Sequence, residues 1–171
     1  MILILHNIRS LYNVGSIFRT ADAAGIEKIY LCGITPKPVD EFGRSRERLA
    51  KVSLGAEKYV EWEYAKNTVR LIDKLKKAKP RSERSSTTWG KYKIFSVEQS
   101  KKSIPYYKIS SVKRHGSCKK IALVLGNEVK GLPLSILKRS DKILEIPMKG
   151  KKESLNVGVA FGIVAFHFIS K

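Results

Sequence analysis

Short apolar runs recur along the chain, and stretches with helical periodicity separate them. Residues 121–125 (IALVL) contain no polar side chain, which is typical of a strand that lies in a parallel sheet and is covered on both faces. Residues 2–5 (ILIL) have the same character and predict a second buried strand. Strands that alternate with helices in this way predict an α/β fold, with a mostly parallel sheet that is flanked by helices.

The remaining elements follow from the same patterns of periodicity and capping. Asn13 is predicted to cap a helix that Gly25 ends, and Ser154 is predicted to cap a final, largely apolar helix. Pro133 is expected in the first turn of a short helix. Further strands are predicted at residues 28–31, 59–62, 93–97 and 143–146, and further helices at residues 44–50 and 65–79.

Length and charge limit the classes of protein to which this chain can belong. It has 171 residues, which favours a single domain over residues 1–171. Its 34 basic and 15 acidic residues give a formal net charge of +19, which predicts a polyanionic partner: nucleic acid first, and an anionic membrane surface second. A lysine-rich genome composition is the alternative explanation. Residues 61–120 carry 17 basic and 5 acidic residues, so the middle third is the expected docking surface.

Several other classes of protein are not expected. Cys32 and Cys118 are far apart and belong to no Cys-x-x-Cys pair, so a disulfide framework is not indicated. The three histidines are scattered without ligand spacing, so no metal site is expected. The chain opens without a secretory signal, and its longest apolar stretch, residues 155–169, is shorter than a membrane span. A soluble, cytoplasmic protein with no membrane partner is therefore expected.

Polar residues follow three of the predicted strands, at positions where ligands bind in open parallel sheets. In the first stretch, Arg19 lies off the apolar stripe of its helix and is either a solvated arginine or a phosphate clamp. In the second, Glu128 lies between Gly126 and Gly131 and is either surface charge or the partner of a cation. In the third, Asn156 stands in the first turn of an apolar helix, where its amide must be hydrogen-bonded to the preceding loop or to a ligand.

These three stretches form an ordered set of motifs. The first reads Asn13-Val-Gly-Ser-Ile-Phe-Arg19, the second runs from Gly126 through Gly131 as Gly-x-Glu-x-x-Gly, and the third joins Ile146-Pro-Met148 to Ser154-Leu-Asn-Val157. In this order they resemble the motifs of the SpoU/TrmH family of RNA ribose 2′-O-methyltransferases, within the SPOUT superfamily. By its length the chain is similar to the minimal members of that family, several of which act on tRNA.

The resemblance implies a fold, a cofactor and a quaternary structure. Family members thread their C-terminal part, here about residues 121–169, into a trefoil knot that binds S-adenosylmethionine, and they form homodimers. By this likeness, the cofactor contacts are Val97, Glu98, Leu125, Gly126, Ile146, Met148, Ser154 and Leu155. The catalytic group implied by the resemblance has Arg19 at its centre, surrounded by Asn13, Glu128, Ser154 and Asn156.

The implied reaction is the S-adenosylmethionine-dependent methylation of a ribose 2′-hydroxyl in RNA, with tRNA favoured over rRNA. The alternative is a catalytically silent RNA-binding or assembly protein on the same scaffold. That alternative predicts the loss of Arg19, Glu128 or Asn156, and all three are present. A flexible loop is predicted at about residues 80–90, which either contacts RNA through Trp89 and its arginines or is simply surface.

Overall fold

The computed structural model describes residues 1–77, 92–109 and 120–169. Within them, one sheet contains the strands β1 (Ile2–His6), β2 (Lys28–Cys32), β3 (Trp62–Ala65), β4 (Lys93–Val97), β5 (Ile104–Pro105), β6 (Ile121–Leu125) and β7 (Lys142–Glu145). The helices are α1 (Leu11–Ala23), α2 (Glu47–Ser53), α3 (Thr68–Lys77), α4 (Leu134–Leu137) and α5 (Val157–Ile169). The loop predicted at residues 80–90, with Trp89, lies outside the described residues.

The strand order is β3-β2-β1-β6-β4-β7-β5, and every pairing between these strands is parallel. The predicted α/β fold with a mostly parallel sheet is therefore confirmed. Strand β6 lies at the centre, where Ala122 pairs with Ile2 of β1 and Ile121 pairs with Lys93 of β4. Because parallel strands all end at the same edge of the sheet, the loops that follow β1, β4, β6 and β7 meet there.

Alternate residues of the strands enter two separate cores, one on each face of the sheet. Leu3 of β1 joins Phe18 of α1 and Phe161 of α5 in the first core. Ile4 joins Ile72 of α3 in the second core. All five residues of β6 are buried, as the absence of polar side chains in this segment predicts. Helices therefore cover both faces of the sheet, and its carboxyl edge stays open to ligands.

The predicted caps of two helices are wrong. Ser10, and not Asn13, caps α1, because the Ser10 Oγ accepts a hydrogen bond from the Asn13 N–H at 3.3 Å. Asn156, and not Ser154, holds the first turn of α5, because its Oδ1 accepts from the Gly158 N–H at 2.9 Å. The side chains of Asn13 and Ser154 are therefore available for contacts other than capping.

The strand predicted at residues 59–62 is displaced along the chain. Strand β3 begins only at Trp62, and Tyr59 ends a 3-10 turn over Ala56–Lys58 with 78% of its surface exposed. Ala56 and Val60 are both buried, and their spacing of four residues is that of a helical turn rather than of a strand. The apolar pattern here therefore combines the end of a turn with the start of a strand.

The described ranges 1–77, 92–109 and 120–169 contain neither a membrane-spanning helix nor a cluster of metal ligands. No helix in these ranges is both long and apolar enough to cross a bilayer. In the same ranges, no three His, Cys, Asp or Glu side chains come together as metal ligands would. Burial raises the pKa of the free thiol of Cys32 to about 12, so this cysteine is protonated and unreactive at neutral pH.

Gly15 allows α1 and α2 to approach closely, and its replacement is expected to destabilise the fold. A Cβ there would lie 2.7 Å from the Leu49 carbonyl oxygen. Overpacking costs roughly 1–3 kcal/mol, so Gly15→Ala should lower the free energy of unfolding in urea. Gly162→Ala is the matched control, since its Cβ would meet Thr20 Cγ2 at an ordinary 3.6 Å and it shares the gain in helix propensity. Equal unfolding midpoints for the two variants would contradict this close packing.

Candidate functional site

A cleft of about 510 Å³ opens at the carboxyl ends of β4, β6 and β7. It is lined by all of the predicted cofactor contacts, Val97, Glu98, Leu125, Gly126, Ile146, Met148, Ser154 and Leu155. Of the five predicted catalytic residues, it is lined by Asn13, Glu128, Ser154 and Asn156. The fold thus brings the three sequence motifs together around one cleft.

Arg19 is the predicted site residue that does not line the cleft. It lies on α1 six residues after Asn13, which places it about 9 Å further along the helix axis. Its side chain is exposed, and within the described part of the chain no hydrogen bond or ion pair engages its guanidinium group. The cleft is therefore formed without the arginine that the family resemblance places at the centre of the catalytic group.

A chain of hydrogen bonds joins the three motifs at the cleft. Asn13 Nδ2 donates to Glu128 Oε1 at 2.9 Å, and Asn156 Nδ2 donates to Asn13 Oδ1 at 2.9 Å. Asn156 Oδ1 in turn accepts from the Gly158 N–H. The carboxylate at one end only accepts and the backbone N–H at the other end only donates, so the direction of every bond between them is determined. We call this set of contacts the Glu128–Asn13–Asn156 chain.

Glu128 also binds the backbone at the start of α1. Its Oε2 accepts from the Arg9 N–H at 3.0 Å, and its Oε1 accepts from the Ser10 N–H at 3.2 Å. Partial burial pushes the pKa of Glu128 upward, but the hydrogen bonds from Asn13, Arg9 and Ser10 outweigh it and hold the pKa below its ordinary value. These donors lie at a helix N-terminus, where negative charge is favoured. Glu128 is therefore an ionised clamp between the β6 loop and α1.

Two asparagines outside the predicted set of site residues support this clamp. Asn7 follows β1 in the left-handed conformation, with φ of 56°. Its Oδ1 accepts from the Ile34 N–H at 3.1 Å, and its carbonyl oxygen accepts from Asn127 Nδ2 at 2.8 Å. Asn7 thus ties the loops after β1, β2 and β6 together. Asparagine tolerates the left-handed conformation unusually well, so an asparagine directly after a strand was the signal available in the sequence.

Glu98 lines the cleft, but backbone groups hold its carboxylate. Its Oε2 accepts from the Leu132 N–H at 2.7 Å, and its Oε1 accepts from the Gln99 N–H at 3.1 Å. Gly131, with φ of 63°, leaves room for this contact, because a Cβ there would overlap the carboxylate. Glu98 therefore fastens the glycine-containing loop of the second motif to the end of β4.

The cleft is acidic although the chain as a whole is strongly basic. Glu98, Glu128 and Glu145 line it, whereas no lysine or arginine of the described ranges does so. None of these three carboxylates forms an ion pair with another described residue. The Glu145 carboxylate accepts a hydrogen bond from the Ser103 hydroxyl, which carries no charge. Uncompensated carboxylates around a partly enclosed cleft favour a positively charged ligand.

The fold and the cleft define a parallel α/β protein with an open cleft at the carboxyl edge of its sheet, where ligands bind in proteins of this class. The sequence profile of the SpoU rRNA Methylase family matches residues 1–166, and the chain belongs to this family. The family resemblance of the three motifs is therefore confirmed.

Named relatives match the chain over almost its entire length. An uncharacterised tRNA/rRNA methyltransferase of Borreliella burgdorferi is 32% identical, over 96% of this chain and 61% of the relative. The tRNA (guanosine(18)-2′-O)-methyltransferase of Aquifex aeolicus is 29% identical, over 97% of this chain and 67% of the relative. The chain thus spans about three-fifths to two-thirds of the length of these two relatives.

Two solved structures also match this chain over almost its entire length. An AdoMet-bound rRNA methyltransferase from Sinorhizobium meliloti superimposes with a TM-score of 0.77 at 26% identity, over 97% of this chain and 54% of that one. The A. aeolicus TrmH/SpoU tRNA modifying enzyme superimposes with a TM-score of 0.76 at 25% identity, over 99% of this chain and 73% of that one.

Glu128→Gln is expected to lower stability at neutral pH but not in acid. The folded-state pKa lies below that of the unfolded chain, so the stabilisation is present above the ordinary glutamate pKa of about 4.3 and is lost as the pH falls through the folded-state pKa. The difference in the free energy of unfolding between the wild type and the variant should therefore be constant near neutral pH and shrink toward zero in acid. Urea unfolding at a series of pH values measures it.

The matched control for this prediction is Glu41→Gln, which changes an exposed glutamate outside the cleft. No comparable pH-dependent difference is expected for it. If the free energies of unfolding of the wild type and Glu128→Gln differ by the same amount at all pH values, ionised Glu128 is not the clamp described above.

Proposed function

We propose that the chain transfers a methyl group from S-adenosylmethionine to a ribose 2′-hydroxyl of RNA in the cytoplasm, with tRNA as the favoured substrate. The observation that carries the proposal is the Glu128–Asn13–Asn156 chain at an acidic cleft. The names of relatives support the reaction class: the A. aeolicus relative is a tRNA 2′-O-methyltransferase, and a Xanthomonas axonopodis relative with 27% identity is a 23S rRNA 2′-O-methyltransferase.

The residues of the cleft fit S-adenosylmethionine in size and chemistry. The volume of about 510 Å³ lies within the range of roughly 300–1,000 Å³ that is usual for small-molecule sites. Leu125, Ile146 and Leu155 provide apolar surface for a flat adenine ring, and the three carboxylates complement a cation. When bound, this cofactor supplies a methyl group that its positive sulfur already activates. The side chains of Val97 and Met148 and the backbone of Gly126 and Ser154 complete the proposed contacts.

The polar residues of the cleft have a positioning role in this proposal. The Glu128–Asn13–Asn156 chain locks the amides of Asn13 and Asn156, and Ser154 keeps its hydroxyl free of capping. Groups that are fixed before substrate arrives lower the entropic cost of orienting the ribose. Glu128 is a poor proton acceptor, because its hydrogen bonds stabilise the ionised carboxylate and lower its pKa. We therefore assign Glu128 to holding the site together.

Arg19 is assigned to phosphate binding rather than to proton removal. An arginine side chain is effectively always protonated in proteins, so it cannot take the proton of a 2′-hydroxyl. Its planar group can bind an RNA phosphate with two hydrogen bonds and so orient the adjacent ribose. The exposure of Arg19 and its lack of a described ion-pair partner are consistent with this role.

An exposed apolar face supports a homodimer in which Arg19 acts on the other copy. Tyr12 of α1 and Val159 and Phe166 of α5 are 57%, 52% and 42% exposed. Arg19 follows Tyr12 by seven residues, so it lies on the same side of α1. We propose that a second copy covers this face and that its Arg19 completes the cleft of the first.

The trefoil knot over about residues 121–169 is part of the same proposal. Strand β6 enters the sheet between β1 and β4, while β7 lies on the far side of β4. Helix α5 then returns across the sheet to pack against α1. This order of elements supports a chain that is threaded in the manner implied by the family resemblance.

Arg19→Ala is expected to abolish methyl transfer and to leave cofactor binding intact. The purified protein is incubated with S-adenosylmethionine that carries a tritiated methyl group, and with tRNA or rRNA from cells that lack the gene. Mass spectrometry of the digested nucleosides then identifies any 2′-O-methylated product, and calorimetric titration measures the affinity for the cofactor. Arg48→Ala, which changes an exposed arginine on α2, should keep its activity.

Each outcome of this experiment decides one part of the proposal. An Arg19→Ala variant that still transfers the methyl group would contradict the assignment of Arg19 to phosphate binding. A product in rRNA alone would move the substrate from tRNA to rRNA. No methylated nucleoside with wild-type protein on either RNA would favour the catalytically silent RNA-binding protein.

Mixed dimers test whether Arg19 acts on the other copy. Arg19→Ala and Asn156→Ala chains should each be inactive alone. When they are co-expressed, random pairing leaves about one quarter of the sites with both groups intact if Arg19 acts across the interface. Methyl transfer at about that fraction of the wild-type rate is therefore expected. No recovery, in dimers whose mixed composition mass spectrometry verifies, would place Arg19 in its own cleft.

A further inference from the structure

The carboxyl edge of the sheet continues beyond the cleft, across the ends of β1, β2 and β3. Exposed or half-exposed side chains on this part of the edge include Arg9, Ile34, Lys37, Tyr64 and Lys66. We call these five residues the β1–β3 rim. Ile34 is 66% exposed and Tyr64 is 43% exposed, so the rim contains apolar and aromatic surface as well as positive charge.

The rim is directly connected to the cleft. The Arg9 N–H donates to the Glu128 carboxylate, which lines the cleft. The Ile34 N–H donates to Asn7 Oδ1 at 3.1 Å, one loop further along the edge. From β6 to β3 the edge crosses three strand spacings, about 14 Å.

Tyr64 is held as a rigid, partly exposed platform. Its hydroxyl donates to the Gly33 carbonyl oxygen at 3.0 Å, which fixes the ring against the loop after β2. Lys37 Nζ lies 5.5 Å from the centroid of the ring. This cation lies over one face of the ring, and a partly exposed ring with a cation there suits an unpaired nucleotide, whose base stacks on the remaining exposed ring surface while its phosphate meets the cation.

The positive charge of the rim is not neutralised within the protein. Arg9, Lys37 and Lys66 form no ion pair with another described residue. Glu63 adjoins Tyr64 in the sequence, but its carboxylate pairs with Lys28 at 2.9 Å. The rim therefore differs from the acidic cleft beside it and complements a polyanion.

We infer that the β1–β3 rim binds the unpaired RNA nucleotides that flank the target ribose, with Tyr64 as the stacking platform. The inference rests on the proposed function, since it assumes that the ribose enters the cleft. It adds a location and a form of substrate: a single-stranded segment, such as a loop, that runs from the cleft toward β3. RNA-binding proteins read such segments through stacked bases, whereas a duplex hides its bases from a side-chain platform.

Binding of fluorescein-labelled decauridine, measured by anisotropy at several salt concentrations, tests the inference. Tyr64→Ala should weaken binding at least about fivefold, the lower end of what one stacked base contributes. Tyr64→Phe should bind more tightly than Tyr64→Ala, because it keeps the ring and loses only the hydrogen bond from the hydroxyl to Gly33. Lys37→Gln should reduce the slope of log affinity against log salt by about 0.7, the value for one phosphate contact on a single strand.

Tyr59→Ala and Lys58→Gln are the matched controls. Both residues lie before β3, at the opposite edge of the sheet, and Tyr59 is 78% exposed. Neither variant should change the affinity or the salt slope. A short RNA duplex should bind wild type and Tyr64→Ala equally, because it offers no unpaired base.

The outcomes separate this inference from the proposed function. If wild-type protein methylates RNA but Tyr64→Ala and Tyr59→Ala bind decauridine equally, the inference about the rim is wrong and the proposed function stands. If only Tyr64→Ala binds decauridine more weakly and wild-type protein transfers no methyl group, the rim binds RNA as inferred and the proposed function is wrong. Absence of decauridine binding by wild-type protein would overturn the inference that the rim binds unpaired nucleotides.

Discussion

The carboxylate of Glu128 is the interaction on which the rest of the site depends. It accepts hydrogen bonds from two backbone N–H groups at the start of α1 and from the side chain of Asn13. Through Asn13 it also fixes Asn156 at the start of α5. One ionised group thus sets the positions of three loops that are remote in sequence. A neutral residue there could accept fewer of these bonds and would leave some of these donors without their partner in the fold.

The cleft and the rest of the molecule carry charge of opposite sign, and the proposed function requires one cationic ligand and one anionic ligand. The chain carries a net +19, yet three uncompensated glutamates and no described basic side chain line the cleft. In the proposed function, the sign of the local potential directs a cationic cofactor and an anionic RNA to adjacent but distinct surfaces. Residues 61–120, where most of the excess charge lies, include Tyr64 and Lys66 of the β1–β3 rim as well as ranges beyond those described.

The candidate site could be predicted from sequence to the extent that its residues belong to motifs with fixed spacing. Asn13, Glu128 and Asn156 were predicted in this way and do line the cleft. The capping roles of Asn13 and Ser154 were predicted wrongly, because several polar residues near a helix start can serve as the cap and only the backbone path selects one. Asn7 belongs to none of the three motifs, since its importance comes from loops that meet only in the fold.

The sequence by itself determined the class of fold, because apolar periodicity specifies which segments are strands or helices and which of their faces are buried. Only the tertiary structure decided the order of the strands, with β6 between β1 and β4. The sequence of a buried strand does not indicate which strand will pair with it. The tertiary structure also decided that Arg19 lies outside the cleft. Periodicity is a local property, whereas the bond from Asn156 to Asn13 spans 143 positions and exists only when the whole sheet has formed.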